Sequence, residues 1–400
     1  MPRFILKVRA PFLTVLGSVL AKTRHRAVSH MAHSRYVCNA DAEPLHRYRA
    51  GGYHPVKLGD LLNKERYKIL HKLGWGGYST TWAAYDRRQN RYVAIQILQR
   101  MSALADDHLG RAHLVQMLDH FTLAGPNGVH GCLVLELLGV SVVNFIDSFC
   151  RHERLPAVLA KSITYQVLLG IDLLAQHRIG HGDIHTGNLA IAIPDLHTLS
   201  EKQFFDKFGG PDTAPMRRTD GASLEDHRPD YLVRNASLKM SLRESLHSSP
   251  VVKIIDFGES YIDDHAPKTL HTPLAMRAPE TVFGDQIDHR VDMWSMGCLI
   301  YFELMTGQPP FDVIMLTPAT LVSQMIDFST DELPARWQEK WQAIRNGISK
   351  VYFDENKCPE FTKSDIDIIS NLIGQMLKFD PTSRALANDI LDNPWFTRSI

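Results

Sequence analysis

Net charge is missing from this chain: 44 Lys and Arg stand against 44 Asp and Glu. Global charge therefore makes no argument for nucleic acid or an anionic surface as partner. Cysteine is scarce. Cys38, Cys132, Cys150, Cys298 and Cys358 are odd in number, scattered, and without metal-ligand spacing. That excludes a disulfide framework and reads as reduced thiols in an intracellular protein. No apolar run reads as long enough to span a bilayer, and no internal repeat is visible. Acidic residues are absent before Asp41, whereas Arg3, Lys7, Arg9, Lys22, Arg24, Arg26 and Arg35 all precede it. Residues 1–42 thus read as a basic leader of transit-peptide type or as a plain tail. Finally, the stretch from Gln96 to Leu135 contains no Lys and no Glu.

What is present is an ordinary globular composition. Hydrophobic residues make up 44% and charged residues 22% of 400 positions. Such a chain can bury a large core and is long enough for two lobes. Alternation predicts strands over Tyr67–Leu73, Thr80–Tyr85 and Tyr92–Ile95, the first two joined by the glycine turn Gly74-Trp75-Gly76-Gly77-Tyr78-Ser79. Further strands are expected at Leu114–Leu118 and Cys132–Gly139. Pro156 opens a helix whose Leu159, Ile163, Val167, Ile171 and Leu174 recur at helical spacing. Residues 194–250 are polar and weakly periodic, so a partly disordered insert is expected there. Asp292–Ile300 is apolar nearly all round and predicts a central buried helix.

Chemistry is concentrated in two places. His181-Gly182-Asp183-Ile184-His185-Thr186-Gly187-Asn188 sets a carboxylate ahead of an amide, and Asp256-Phe257-Gly258 follows a strand-like run. A carboxylate can orient an attacking hydroxyl, and hard cations take oxygen ligands such as Asn188 and Asp256. Glycines let backbone amides approach phosphates.

In this order the motifs resemble the eukaryotic protein kinases. Leu73–Thr80, Leu118-Asp119-His120-Phe121, Gly125-Pro126-Asn127-Gly128 and Tyr48-Arg49-Ala50-Gly51-Gly52-Tyr53-His54-Pro55-Val56 are more narrowly similar to the SR-protein kinases, in their fungal branch within the CMGC group. The resemblance implies an α+β, two-lobed fold: a truncated, β-rich small lobe over 43–139 and a helical large lobe over 140–398. It implies transfer of the ATP γ-phosphate to Ser in arginine/serine-rich proteins, with Mg²⁺. Asp183 would be the catalytic base, with His185 beside the γ-phosphate. Asn188 and Asp256 would hold the metal. Leu73, Gly74, Gly76 and Ser79 would cover the phosphates. Ala94 and Ala190 would sandwich adenine, with backbone groups at Glu136 and Leu138 holding its edge. Glu280 would pair with Arg384. The expected state is a monomer of cytoplasm and nucleus, with no nucleic-acid or membrane contact; the basic leader gives mitochondrion as the alternative.

Four departures from the pattern stand out; the family tolerates the first two, and the last two strike the chemistry. Gly182 replaces the usual Arg and His185 the usual Lys. Gln96 stands where the third strand should carry an ATP-anchoring Lys, and no Glu follows to orient one. Three readings stay open: an active kinase, a pseudokinase that only binds, and a chain from which a piece between the third strand and the next helix has been excised. The expectation is very slow phosphotransfer. It is also that Val93–Ile95 would expose apolar surface, and that Lys68 and Lys72 are poor stand-ins. Asp327, Asp331 and Glu332 read as a dock for an arginine-rich peptide or as solvated surface.

Overall fold

The computed structural model describes residues 35–77, 79–98, 109–150, 155–237, 250–299, 304, 311, 317–329, 331–338 and 363–396. Alternating apolar positions pair into one antiparallel six-stranded sheet: β1 (Leu61–Leu62), β2 (Tyr67–Trp75), β3 (Ser79–Asp86), β4 (Arg91–Leu98), β5 (Met117–Gly125) and β6 (Gly128–Glu136), in the order β1-β2-β3-β4-β6-β5. β4 runs past the expected Tyr92–Ile95 and stays in register with both neighbours as far as Leu98. Gln96 is thus a regular strand residue on the same face as Ala94. The sequence leaves little more than Gln99–Ala105 for the helix that should follow, and those residues lie outside the described ones.

Period-2 alternation splits this sheet into two faces. Trp82, Ala84, Val93, Ile95, Cys132 and Val134 point outward, beneath Val56, Leu62 and Val233. The expected exposure of Val93 and Ile95 is therefore wrong: both are 0% exposed. They face the outer layer, which the chain's own opening segment covers. The other face carries Ala83, Ala94 and the partly buried Leu135.

Residues 194–237 are more ordered than their polarity suggests. Ser200 caps helix α3 (Glu201–Phe208; α1 and α2 are Val142–Phe149 and Ala157–Gln176) with a reciprocal capping box. Its Phe204 and Phe208, one turn apart, pack with Leu196 against Ala83, Tyr92 and Ala94. Farther on, Thr213–Pro215 pairs with Tyr231–Val233, and Arg217–Arg218 pairs with Tyr36–Val37. The fold thus reaches back to residue 36, inside the expected leader. The insert is a layer of the small lobe, built on few apolar residues whose partners are remote in sequence.

The large lobe has one core. α1, α2, α4 (Val291–Cys298), α5 (Pro318–Phe328) and α6 (Lys363–Met376) contribute to it. Leu159, Ile163, Val167, Ile171 and Leu174 are buried as their spacing predicts. α2 is long and apolar enough by composition to cross a membrane, contrary to the reading that no run is; two-thirds of it is buried in the lobe, as a core helix. Arg384 and Glu280 form a bidentate pair at 2.6 Å, both side chains buried. Of the acidic trio, Asp331 takes backbone N–H groups of Phe379 and Asp380, which is structural work.

Candidate active site

Two three-residue strands, β7 (Leu189–Ile191) and β8 (Val252–Ile254), pair antiparallel below the sheet. Their flanking turns carry the chemistry. Ile255 N–H donates to the Asn188 carbonyl at 2.9 Å, which brings the Asp256 turn alongside the His181–Asn188 loop. Asp256 takes φ 62°, a left-handed conformation that Asp tolerates better than most residues. Its carboxylate accepts the Gly258 N–H at 3.3 Å.

His181 joins the two turns. Its Nε2 donates to the Ile255 carbonyl at 3.0 Å, and its Nδ1 accepts the Asp183 N–H at 3.2 Å. Its ring lies edge-on to Phe257, centroids 4.9 Å apart. Burial lowers its pKa and favours this neutral tautomer. Asp292 supports the same loop by accepting the N–H groups of His181 and Gly182 at 2.6 and 2.9 Å. Burial pushes Asp292 up to about 7 against those bonds. Sequence reasoning missed this role; the signal was a lone carboxylate opening an otherwise apolar helix.

Asn188 Nδ2 donates to Asp183 twice, to its carbonyl at 2.9 Å and to Oδ2 at 3.0 Å. That leaves the Asn188 amide oxygen for another partner. His185 Nε2 stands 3.5 Å from the same Oδ2, while its Nδ1 accepts the Gly187 N–H at 3.0 Å. Burial alone would raise the Asp183 pKa, but the His185 and Asn188 interactions outweigh it and hold the carboxyl below its usual value. Asp183 Oδ1 is buried and has no hydrogen-bond partner among the described residues. An ionised oxygen left in that position can take a proton-bearing group brought by a ligand.

Gly182 explains the absent Arg. It sits at φ +77°, and a Cβ there would meet Leu270 at 3.0 Å and the Glu259 carbonyl at 3.1 Å. The segment after Asp256 fills this space, and the Thr272 hydroxyl donates to the Gly182 carbonyl.

Above the loop, Gly74 and Gly76 have no conformational need to be glycine. Neither has positive φ, and an added Cβ meets nothing closer than Ser79 Oγ at 4.0 Å. Open space beside a bare backbone is what a phosphate cover needs. Gln96 Nε2 donates to Ser79 Oγ at 3.3 Å. Lys72 instead pairs with Glu43 on the outer face, its ammonium 5.3 Å from the Trp82 ring centroid. Lys68 pairs with Glu201. Neither serves the cleft, as expected. Leu73 and Ala94 share a cluster with Leu135 and Leu137, and Ala190 is buried on β7. The Glu136 side chain is occupied, accepting from Gln116 N–H at 2.8 Å and Lys253 Nζ at 2.7 Å. Leu138 follows it, partly exposed. Behind these, a cavity of about 380 Å³ is lined by Leu114, Met117, Leu133, Leu135 and Phe257, among others.

The two residues expected to hold a metal both offer hard oxygen donors, the Asn188 amide and the Asp256 carboxylate. No cluster of three or more His, Cys, Asp or Glu able to hold an ion occurs among the described residues. Two protein ligands suit an ion that shares the rest of its shell with phosphate and water.

The protein kinase domain family matches residues 242–396. Serine/threonine-protein kinase SRPK of Physarum polycephalum is 30% identical, over 89% of this chain and 92% of that protein. Protein kinase dsk1 of Schizosaccharomyces pombe is 28% identical, over 87% of this chain and 84% of its own length. A crystal structure of a kinase domain superposes with TM-score 0.58 at 18% identity, covering 86% of this chain and 98% of that one.

Proposed function

This chain belongs to the SR-protein kinase family of serine/threonine-protein kinases, and from that premise we propose that it phosphorylates Ser in arginine/serine-rich proteins. The carrying observation is the free, buried Oδ1 of Asp183 beside an engaged Oδ2. In this reading Asp183 accepts the hydrogen bond of the substrate hydroxyl and takes its proton. Asn188 holds Asp183 in place through Oδ2, and His185 presents an N–H beside it. The Asn188 and Asp256 oxygens hold Mg²⁺, which offsets phosphate charge when bound. Gly74, Gly76 and Ser79 cover the phosphates. Adenine lies between Ala94 and Ala190 and meets the backbone at Glu136 and Leu138.

Kinase membership favours transfer over a pure binding module, yet the phosphate cations are thin. Gln96 is neutral, and His185 stands where a Lys is usual. Losing one preorganised donor costs about 10²–10³ in rate. Purified chain with ATP, Mg²⁺ and an arginine/serine-repeat peptide should turn over below the roughly 1–100 s⁻¹ of ordinary kinases. It should still exceed an Asp183→Ala blank; equality with that blank overturns the reading. The proposed state is a monomer acting on protein, without nucleic-acid or membrane contact, supported by the balanced charge. The proposed location is cytoplasm and nucleus, supported by free thiols at Cys38, Cys132 and Cys150. A mitochondrial signal from a fluorescent fusion would count against it.

A further inference from the structure

Two sequence motifs have no part in the site described above: Tyr48–Val56 and Gly125–Gly128. The structure brings both to the glycine turn between β2 and β3. Gly51, at φ +70°, and Gly52 reverse the chain so tightly that a Cβ on Gly52 would lie 2.0 Å from the Arg47 carbonyl. The Tyr53 N–H then donates to that carbonyl at 2.8 Å. Arg47 and Tyr53 end side by side, guanidinium carbon 5.9 Å from the ring centroid. Asn127 fixes the turn from the far hairpin: its carbonyl accepts the Gly51 N–H at 2.8 Å, and its Nδ2 donates to the Tyr53 carbonyl at 2.6 Å.

What this turn presents is directed at the glycine loop. The Tyr53 hydroxyl donates to the Gly76 carbonyl, and Arg47 Nη1 donates to the Gly77 carbonyl. One strand earlier, Glu43 accepts from both Lys72 and the Tyr48 hydroxyl, which anchors the same segment to β2. We propose that residues 43–56 are a strap that sets the glycine loop for nucleotide, with Tyr53 and Arg47 as positioning residues. The physical reason is peptide planarity. In a trans peptide the C=O of Gly76 and the N–H of Gly77 point opposite ways. Holding that carbonyl toward the strap, on the outer side with Lys72 and Trp82, turns the amide to the cleft side, where Ala94 and Gln96 stand. An unrestrained glycine loop would lose this order at an entropic cost on each binding event. The strap removes part of that cost in a site short of phosphate cations.

This inference rests on the nucleotide reading of the loop, so the experiment has two arms. Full-length chain, Tyr53→Phe, Arg47→Gln and the double variant are compared with Tyr261→Phe, which loses a large-lobe hydroxyl donated to the Asp288 carbonyl. Phe keeps the Tyr53 ring, which packs edge-on to Tyr48. The first arm is amide hydrogen exchange over Gly76–Ser79. The second is affinity for a fluorescent ADP analogue with Mg²⁺. Removing one hydrogen bond should speed exchange and weaken ADP by about threefold to tenfold in Tyr53→Phe, and more in the double variant. Tyr261→Phe should change neither. Unchanged exchange overturns the strap. Faster exchange with unchanged affinity overturns positioning and leaves a structural contact. If the parent chain binds no ADP, the nucleotide reading fails, and the exchange arm still decides whether the strap holds the loop.

Discussion

Asp256 and Gln96 carry opposite expectations at the scale of single residues. Asp256 supplies one of two oxygens at the proposed metal position, and its left-handed backbone is local to a short turn. Asp256→Ala should abolish metal-dependent nucleotide binding and leave the fold intact. Calorimetric titration of nucleotide with and without Mg²⁺ checks this; metal-dependent binding that survives rules the assignment out. Gln96 lies in register on the cleft face, opposite Thr81 and Leu133, and its side chain donates to Ser79 Oγ. Gln96→Lys should therefore place a cation near the glycine loop without disturbing β4. Turnover on an arginine/serine-repeat peptide should rise, by at most the roughly 10²–10³ that one preorganised donor supplies. The gain should stay well short of that limit, because no Glu between Gln96 and Leu135 is available to orient the new ammonium. A fall in turnover with unchanged thermal stability would refute the placement.

Among elements, the strap is joined to the β5–β6 hairpin through a pair of imidazoles. The His54 and His130 rings meet edge-to-face at 5.2 Å, and a Cβ on Gly125 would strike the His54 ring at 2.1 Å. Burial and the neighbouring His130 lower His54 to about 4, and burial lowers His130 as well. The folded state thus binds fewer protons than the unfolded chain between about pH 6.5 and 4. Stability from this contact is present above the unfolded value and is lost as pH falls through that window. Between pH 7 and 5 the His54 contribution should fall by on the order of 1–2 kcal/mol. Urea unfolding at both pH values, with His54→Phe as comparison, measures it; equal pH sensitivity in the variant contradicts the assignment. This element also marks where sequence reading ends. The catalytic turns were legible because their residues act within a few positions of one another, as in Asp183 with Asn188. The strap was visible only as a motif. Its function depends on Tyr53 meeting Gly76 and on Asn127 meeting Gly51, pairings that no local periodicity encodes. The insert failed for the same reason: Phe204 and Phe208 are the two buried positions of a helix that is otherwise mostly polar, and their partner is a sheet more than a hundred residues upstream.

Taken whole, the molecule has separate cores for its two lobes. Trp294, Trp337 and Trp395 belong to the large-lobe core, whereas Trp82 belongs to the outer small-lobe cluster. The insert leaves the large lobe after β7, packs α3 on the cleft face of the small-lobe sheet, and returns at β8. Phe204 is the centre of that layer. It is 0% exposed and stacks on Tyr92 at 4.6 Å and on Phe208 at 4.5 Å. Truncating a buried Phe removes both its transfer free energy and its packing, about 3–5 kcal/mol in total. Since Phe204 packs within the small-lobe cluster of Ala83, Tyr92 and Ala94, Phe204→Ala should destabilise that lobe selectively. Hydrogen exchange should quicken across β3 and β4 while α2 and α4 keep their protection. ADP affinity should also fall, because Ala94 shares the same cluster. By contrast, Arg384→Ala should leave Glu280 buried without its partner and cost about 3–5 kcal/mol in the large lobe alone. The two variants make a crossed test of lobe independence. If Phe204→Ala loosens α2 and α4 as much as β3 and β4, the insert is not a small-lobe layer but a brace between lobes.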